Sequence, residues 1–331
     1  MGVNQKSEIR NPKSEFHIVA LAGGVGGAKL AHGLAQILSP ARLAIVVNTG
    51  DDFEHLGLTI CPDIDTVLYN LAEVNNPQFG WGRADETFNV LEETKRLGRD
   101  AWFMLGDKDI ALHLLRRQML DAGLSLTAVT LDLARRLGIQ HAVLPMSDQP
   151  VRTMILTPEG EMPFQENFVH RRTEPVMLNM RLAGLEQARA SDAMLAALEG
   201  ADAVVFCPSN PFVSIGPILA LPGVEERIAQ IPTVAVSPII GGRALKGPAA
   251  KMMQEQGLEV SALGVARHYA GLVDGFVLDE ADASLADAVR ALGMTPFITD
   301  SIMRNKADRR RLAAEVLGFV ESLVREDGRS G

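Results

Sequence analysis

Short apolar runs alternate along this chain with longer stretches in which apolar residues recur every three or four positions. These are the periods of buried strands and amphipathic helices. Residues 16–22 are the first apolar run, closed by glycines, and predict a strand buried on both faces. Residues 28–38 put Leu30, Leu34, Ile37 and Leu38 on one helical face, and Pro40 stops the helix. Leu43–Val47 is a second apolar run. Strand, helix and strand in this order predict a doubly wound α/β fold.

Residues 66–136 read as mainly helical, with a strand-like interruption at 101–105. The pattern then changes. Residues 141–144, 151–156 and 161–168 read as strands, the last two joined by a Pro158-Glu159-Gly160 hairpin turn. Alternation returns afterwards: helix 190–199, strand Ala203–Phe206, strand 234–236, helices 248–256 and 261–272, strand 275–278, helix 284–292, strand 296–298 and a terminal helix 306–324. The expected organisation is a Rossmann-like, mostly parallel sheet domain over 16–138 and 186–326. Residues 139–185 form a smaller β-rich insertion, and 1–15 a frayed terminus.

Composition narrows the partners. The 331 residues carry a net charge of −9 and 47% hydrophobic residues, with no long basic run. Nucleic acid and anionic membrane surfaces are poor matches for that charge. Cys61 and Cys207 are the two cysteines, and they lack the pairing of a zinc or redox motif. Residues 1–15 lack an apolar signal core, and no 18-residue apolar run exists. A cytoplasmic protein with small-molecule partners is the expectation.

Polar motifs fall at the predicted strand ends. Gly23-Gly24-Val25-Gly26-Gly27 lies between strand and helix, where free backbone N–H groups and the helix N-terminus suit phosphate. Its spacing is neither G-x-G-x-x-G nor that of a Walker loop, and a ligand-free tight turn is the plainer alternative. Asp51, Asp52, Asp63 and Asp65 lie within fifteen residues, past the second strand. Carboxylates from two segments can hold one hard divalent cation whose shell is completed by phosphate oxygens. Asp63 or Asp65 could instead cap a helix starting near Thr66. On a helix following Gly106, Asp109, His113 and Arg116 share one face and could move protons or bind an anion, with Asp107 as an alternative N-cap. Ser209, Asn210 and Pro211 follow the 203–206 strand. Arg243 and Lys246 follow the 234–236 strand and could neutralise phosphate or stay solvated.

Several stretches together carry a resemblance. They are Leu21-Ala22-Gly23-Gly24-Val25-Gly26-Gly27-Ala28-Lys29, Asn48-Thr49-Gly50-Asp51-Asp52 and Cys61-Pro62-Asp63-Ile64-Asp65-Thr66-Val67-Leu68-Tyr69. Gly80-Trp81-Gly82, Glu86-Thr87-Phe88, Leu105-Gly106-Asp107-Lys108-Asp109, Pro145-Met146-Ser147-Asp148, Pro208-Ser209-Asn210-Pro211 and Ser237-Pro238-Ile239-Ile240-Gly241 extend it. The chain resembles the 2-phospho-L-lactate transferases of deazaflavin coenzyme F-420 biosynthesis, including bacterial members that transfer phosphoenolpyruvate. The resemblance spans about residues 17–322. The YvcK-like gluconeogenesis or morphogenesis factors, regulators that bind nucleotide sugars, share the glycine and acidic segments and are the alternative. The Asp-Ile-Asp and Trp81 segments favour the transferases.

The resemblance implies a reaction. The terminal ribityl hydroxyl of the deazaflavin FO attacks a phosphorus of a guanosine-diphosphate-linked lactate or enolpyruvate, and GMP leaves. It implies Mg2+, with Asp51 and Asp63 as ligands, and leaves Asp52 or Asp65 to orient or deprotonate the hydroxyl. Gly24, Gly26, Gly27, Asn48, Ser209, Asn210, Pro211 and Arg243 are expected near the nucleotide or its phosphates. Asp107, Asp109, His113 and Arg116 are also expected at substrate. Trp81 is a candidate to stack on the deazaflavin, or a core residue. A homodimer is the family expectation.

Overall fold

All five residues of Ile18–Ala22 are buried, as a strand can be only in a sheet covered on both faces. In the computed structural model, which describes residues 16–327, that sheet has seven parallel strands. Their spatial order is Thr295–Thr299, Gly275–Asp279, Thr233–Val236, Ala203–Phe206, Ile18–Ala22, Leu43–Val47 and Ala142–Pro145. Numbered along the chain this is 7-6-5-4-1-2-3, the doubly wound order with one added strand. The expected Rossmann-like α/β class is therefore present. The frayed terminus expected over 1–15 lies outside the described residues.

Strand residues alternate between two cores. Val19 and Leu21 join Val46, Val204, Phe206 and Phe276 on one face. Ile18, Ala20 and Ala22 join Ile45, Val47 and Val205 on the other. Helices Gly24–Ala35, Pro62–Leu71 and Lys306–Asp327 cover the second face through Leu30, Leu34, Val67, Leu68, Val316 and Leu317. Each such side chain, once buried, contributes about 1.5–3 kcal/mol.

Residues Arg152–Thr157, Gly160–Pro163 and Asn179–Ala183 form a separate antiparallel sheet with the first strand in the middle. Among the described residues no helix is long and apolar enough to cross a membrane.

Local differences from the sequence reading have physical reasons. Helix Gly24–Ala35 begins inside the glycine run, so those glycines are its first turn rather than a preceding loop. Residues 101–105 form no strand; Ala101 and Leu105 are buried but no neighbouring strand pairs with them. Residues 141–144 were expected in the insertion, yet Ala142–Pro145 pairs in parallel with Leu43–Val47 at the edge of the main sheet. The 161–168 strand stops at Pro163, and a helical turn follows over Glu166–His170. Short apolar runs do not distinguish these outcomes, because pairing depends on distant partners.

Candidate active site

Strands Ile18–Ala22 and Ala203–Phe206 are neighbours, and the chain leaves them in opposite directions across the sheet. Ligands of doubly wound folds sit in the crevice at such a point. Here Gly24 takes φ +61°, a conformation that favours glycine, as the chain turns into its helix. A Cβ on Gly26 would lie 2.2 Å from the Pro208 carbonyl oxygen, so a glycine is needed for the helix start to press against the Pro208–Ser209 loop. Ser209 Oγ accepts from the Gly23 N–H at 3.2 Å. A cleft of about 770 Å³ opens beside these turns, well inside the roughly 300–1,000 Å³ of small-molecule sites.

Asp51 and Asp63 lie at one end of the cleft. Asp63 Oδ1 accepts from the Gly24 N–H at 2.7 Å, and Oδ2 from Asn48 Nδ2 at 2.9 Å. Asn48 is fixed in turn: it also donates to the Val213 carbonyl at 3.0 Å and accepts from the Gly50 N–H at 2.8 Å. Asp51 accepts a long hydrogen bond from Gln165 Nε2 at 3.4 Å with the Asn48 amide also acting on it, and its Oδ1 is buried with no partner. Burial first, then the neighbouring Asp63 and Asp52 charges, push the Asp51 carboxyl well above the usual range. Burial likewise raises Asp63 to about 6. Neither carboxylate has a cationic side chain within ion-pair distance among the described residues.

Two residues along the same helix the situation reverses. Asp65 receives both terminal nitrogens of Arg116, one at 3.0 Å and the other closer. Arg116 is fully buried and also donates to the Thr59 carbonyl at 3.2 Å. Burial opposes the Arg116 charge, but Asp65 together with smaller neighbouring influences more than offsets it, so the guanidinium stays charged. His113 accompanies the pair, and burial lowers its imidazole to about 4, which keeps it neutral at pH 7.

The predicted residues therefore separate. Gly24, Gly26, Asp51, Asp63, Asp65, Trp81, Asp109, His113, Ser209 and Asn210 line the cleft. Asn48 and Arg116 stand behind it, holding Asp63 and Asp65. Gly27 packs against Ser209, and buried Pro211 opens the helical turn capped by Asn210. Asp52 faces an adjoining cavity of about 350 Å³ with Arg152, and burial raises it to about 7. Asp107 accepts hydrogen bonds from Thr87, Asn89 and Val90 instead of facing the cleft. Arg243 is exposed on a two-residue strand, while Lys246, three residues on, lines the rim.

Other lining residues carried weaker signals. Lys29 sits one helical turn after Gly26, a spacing that puts both on one face. Its ammonium donates to the Met303 carbonyl at 2.9 Å, and burial, with Arg309 and Lys246 nearby, pulls its pKa down. Phe79 stacks on Trp81 with centroids 5.4 Å apart, and both are partly exposed at the mouth. Phe164, Gln165 and Phe168 reach the cleft from the segment joining the strands of the small sheet.

Known proteins bear on this site. The model of the 2-phospho-L-lactate transferase family CofD matches residues 18–317. A 2-phospho-L-lactate transferase of Methanosarcina barkeri is 40% identical over 307 residues, covering 93% of this chain and 99% of its own. A phosphoenolpyruvate transferase of Streptomyces griseus is 42% identical over 316 residues, covering 93% and 99%. In shape, the crystal structure of protein BH3568 from Bacillus halodurans matches with a TM-score of 0.60 at 17% identity, over 92% of this chain and 99% of that one. That likeness concerns the fold alone. The chain belongs to the CofD family of 2-phospho-L-lactate transferases.

Proposed function

We propose that the protein transfers a phospholactyl or phosphoenolpyruvyl group from a guanosine-diphosphate-linked donor to the terminal hydroxyl of the deazaflavin FO, releasing GMP. The names of the two relatives support the class of group transferred. One structural observation carries the reading: Asp51 and Asp63 are buried together, without a countercharge, beside the start of the glycine helix.

Such a pair fits Mg2+. Among the described residues no three His, Cys, Asp or Glu side chains form a ready metal cage. Mg2+ does not need one, since it is usually held by one or two carboxylates together with water and substrate phosphates. The unpartnered Asp51 Oδ1 and the free lone pairs of Asp63 would serve as its protein ligands. Bound there, the ion neutralises the diphosphate and the charge that develops in transfer.

The rest of the work is positioning and charge neutralisation, which dominate phosphoryl-type transfer. The N-terminal amides of helix Gly24–Ala35 suit the phosphates. Lys29 and Lys246 add positive charge along the cleft. The stacked Phe79 and Trp81 rings offer a flat apolar plate for a tricyclic ring. Incubation with FO, Mg2+ and each donor in turn, followed by mass spectrometry, should yield the phosphodiester and GMP with at least one donor. No product with either donor would reject the proposal. Calorimetric binding of a nucleotide sugar without FO binding would favour the regulator instead.

A further inference from the structure

We propose that Asp109 is the general base that takes the proton from the attacking hydroxyl. This rests on the transferase reading above. Four carboxylates line the cleft: Asp51, Asp63, Asp65 and Asp109. The first two are assigned to the cation. Asp65 is bound on both oxygens by Arg116. Asp52, an earlier candidate, opens into the neighbouring cavity.

His113 also lines the cleft, but its Nδ1 lies 3.1 Å from Arg116 Nη1. A guanidinium only donates, so Nδ1 accepts and the hydrogen-bond network assigns the ring proton to Nε2. His113 can thus donate into the cleft but offers no free nitrogen to receive a proton.

Asp109 remains. It is 7% exposed, the neutral Tyr69 hydroxyl faces it, and no Arg or Lys forms an ion pair with it among the described residues. Its Oδ2 accepts a long 3.4 Å bond from the Gly106 N–H. A Cβ built on Gly82, next to Trp81, would lie 4.0 Å from that same oxygen. Asp109 also adjoins Tyr69, which is six residues beyond Asp63 on helix Pro62–Leu71, or about 9 Å of helical rise. It therefore sits between the aromatic plate and the paired carboxylates, where a chain joining the ring to the reacting phosphorus would pass.

The electrostatic setting agrees. Asp65 and Tyr69 from one helix and Arg83 and Glu86 from the preceding loop act on this carboxyl, and His113 lies one turn along its own helix. Burial is the main influence and raises its pKa against the opposing Tyr69 hydrogen bond, which brings a carboxylate closer to the range of an effective base.

The step balances. The hydroxyl proton passes to Asp109 Oδ1 as its oxygen bonds to phosphorus. The bond from phosphorus to the GMP oxygen breaks, and GMP leaves with the electron pair. Asp109 returns the proton to water when product departs.

Asp109→Asn keeps the shape and an acceptor for Gly106, so folding should persist. The expected result is a kcat lowered about 10²–10⁴-fold, with the KM for FO within about threefold by the same principle of acting only in the transition state. The acid limb of the wild-type kcat–pH profile should vanish in this variant, and Asp109→Glu should restore part of the rate. Formate should partly rescue Asp109→Ala, an effect that a merely structural role would not produce. Near wild-type kcat with an unchanged pH profile in Asp109→Asn overturns the assignment. So does an acid limb that survives in Asp109→Asn but is lost in His113→Gln. Wild-type protein that forms no product removes the transferase reading itself, and this assignment with it.

Discussion

Asp63 and Asp65 sit two positions apart on one helix and are equally buried, at 5% and 6% exposure. Their surroundings are opposite. Asp65 meets a buried guanidinium, whereas Asp63 meets another carboxylate and neutral donors. Burial by itself thus does not mark the reactive carboxylate. An isolated buried charge is costly, so it persists where something else supplies the countercharge. The Asp65 side supplies it from within the chain, and the Asp63 side holds none among the described residues, which is the basis of the proposed cation.

The largest effect tests the balanced side. Arg116→Met leaves Asp65 buried and unpaired, which should cost about 3–5 kcal/mol in denaturant unfolding. Adding Asp65→Asn to that variant should recover much of the loss. A single-variant cost under about 1 kcal/mol, in the range of an exposed pair, would erase the contrast.

The unbalanced side should respond the other way. Asp63→Asn removes a raised-pKa charge that has no cationic partner in the protein, so its melting temperature should hold or rise. Product formation should still fall at least about 10²-fold, the scale of losing one main electrostatic stabiliser. Undiminished product yield in this variant would leave Asp63 a helix-cap residue and nothing more.

A smaller, direct reading of the same difference comes from the cation. Mg2+ at 100 times its Kd should stabilise the wild-type protein by about 2.7 kcal/mol relative to chelator-treated protein. Asp63→Asn should abolish that shift. An equal shift in both proteins would place the ion elsewhere.

Strand positions were legible because burial on both faces leaves uninterrupted apolar runs: Leu43–Val47 and Ala203–Phe206 have the same bounds in sequence and structure. The acidic and glycine motifs were legible as strand-end chemistry for the same reason, since strands point to where their loops go. The division of work inside the acidic run was not. Asp65 differs from Asp63 through Arg116, which lies 51 residues away, and no local pattern encodes that pairing. Lys246 and Arg243 likewise share a loop, and only its folded path turns one toward the cleft.

Asp107 supplies the mildest test, because it was grouped by sequence with the site yet acts on the scaffold. Its exposed carboxylate accepts from Thr87 Oγ1 at 2.7 Å, Asn89 Nδ2 at 2.8 Å and the Val90 N–H at 3.0 Å, so it tethers the start of helix Asn89–Arg96. The Thr87 bond first, then those to Val90 and Asn89, hold its pKa at about 2. A folded pKa below the unfolded value, about 3.9, means that its contribution is full above that value. It fades as pH falls through about 2. The melting-temperature gap between wild type and Asp107→Asn should therefore be widest near neutral pH and close by about pH 2, if both are compared at each pH. Turnover in Asp107→Asn should drop far less than in Asp63→Asn. An equal loss of turnover would return Asp107 to the substrate and collapse the distinction between cleft and scaffold.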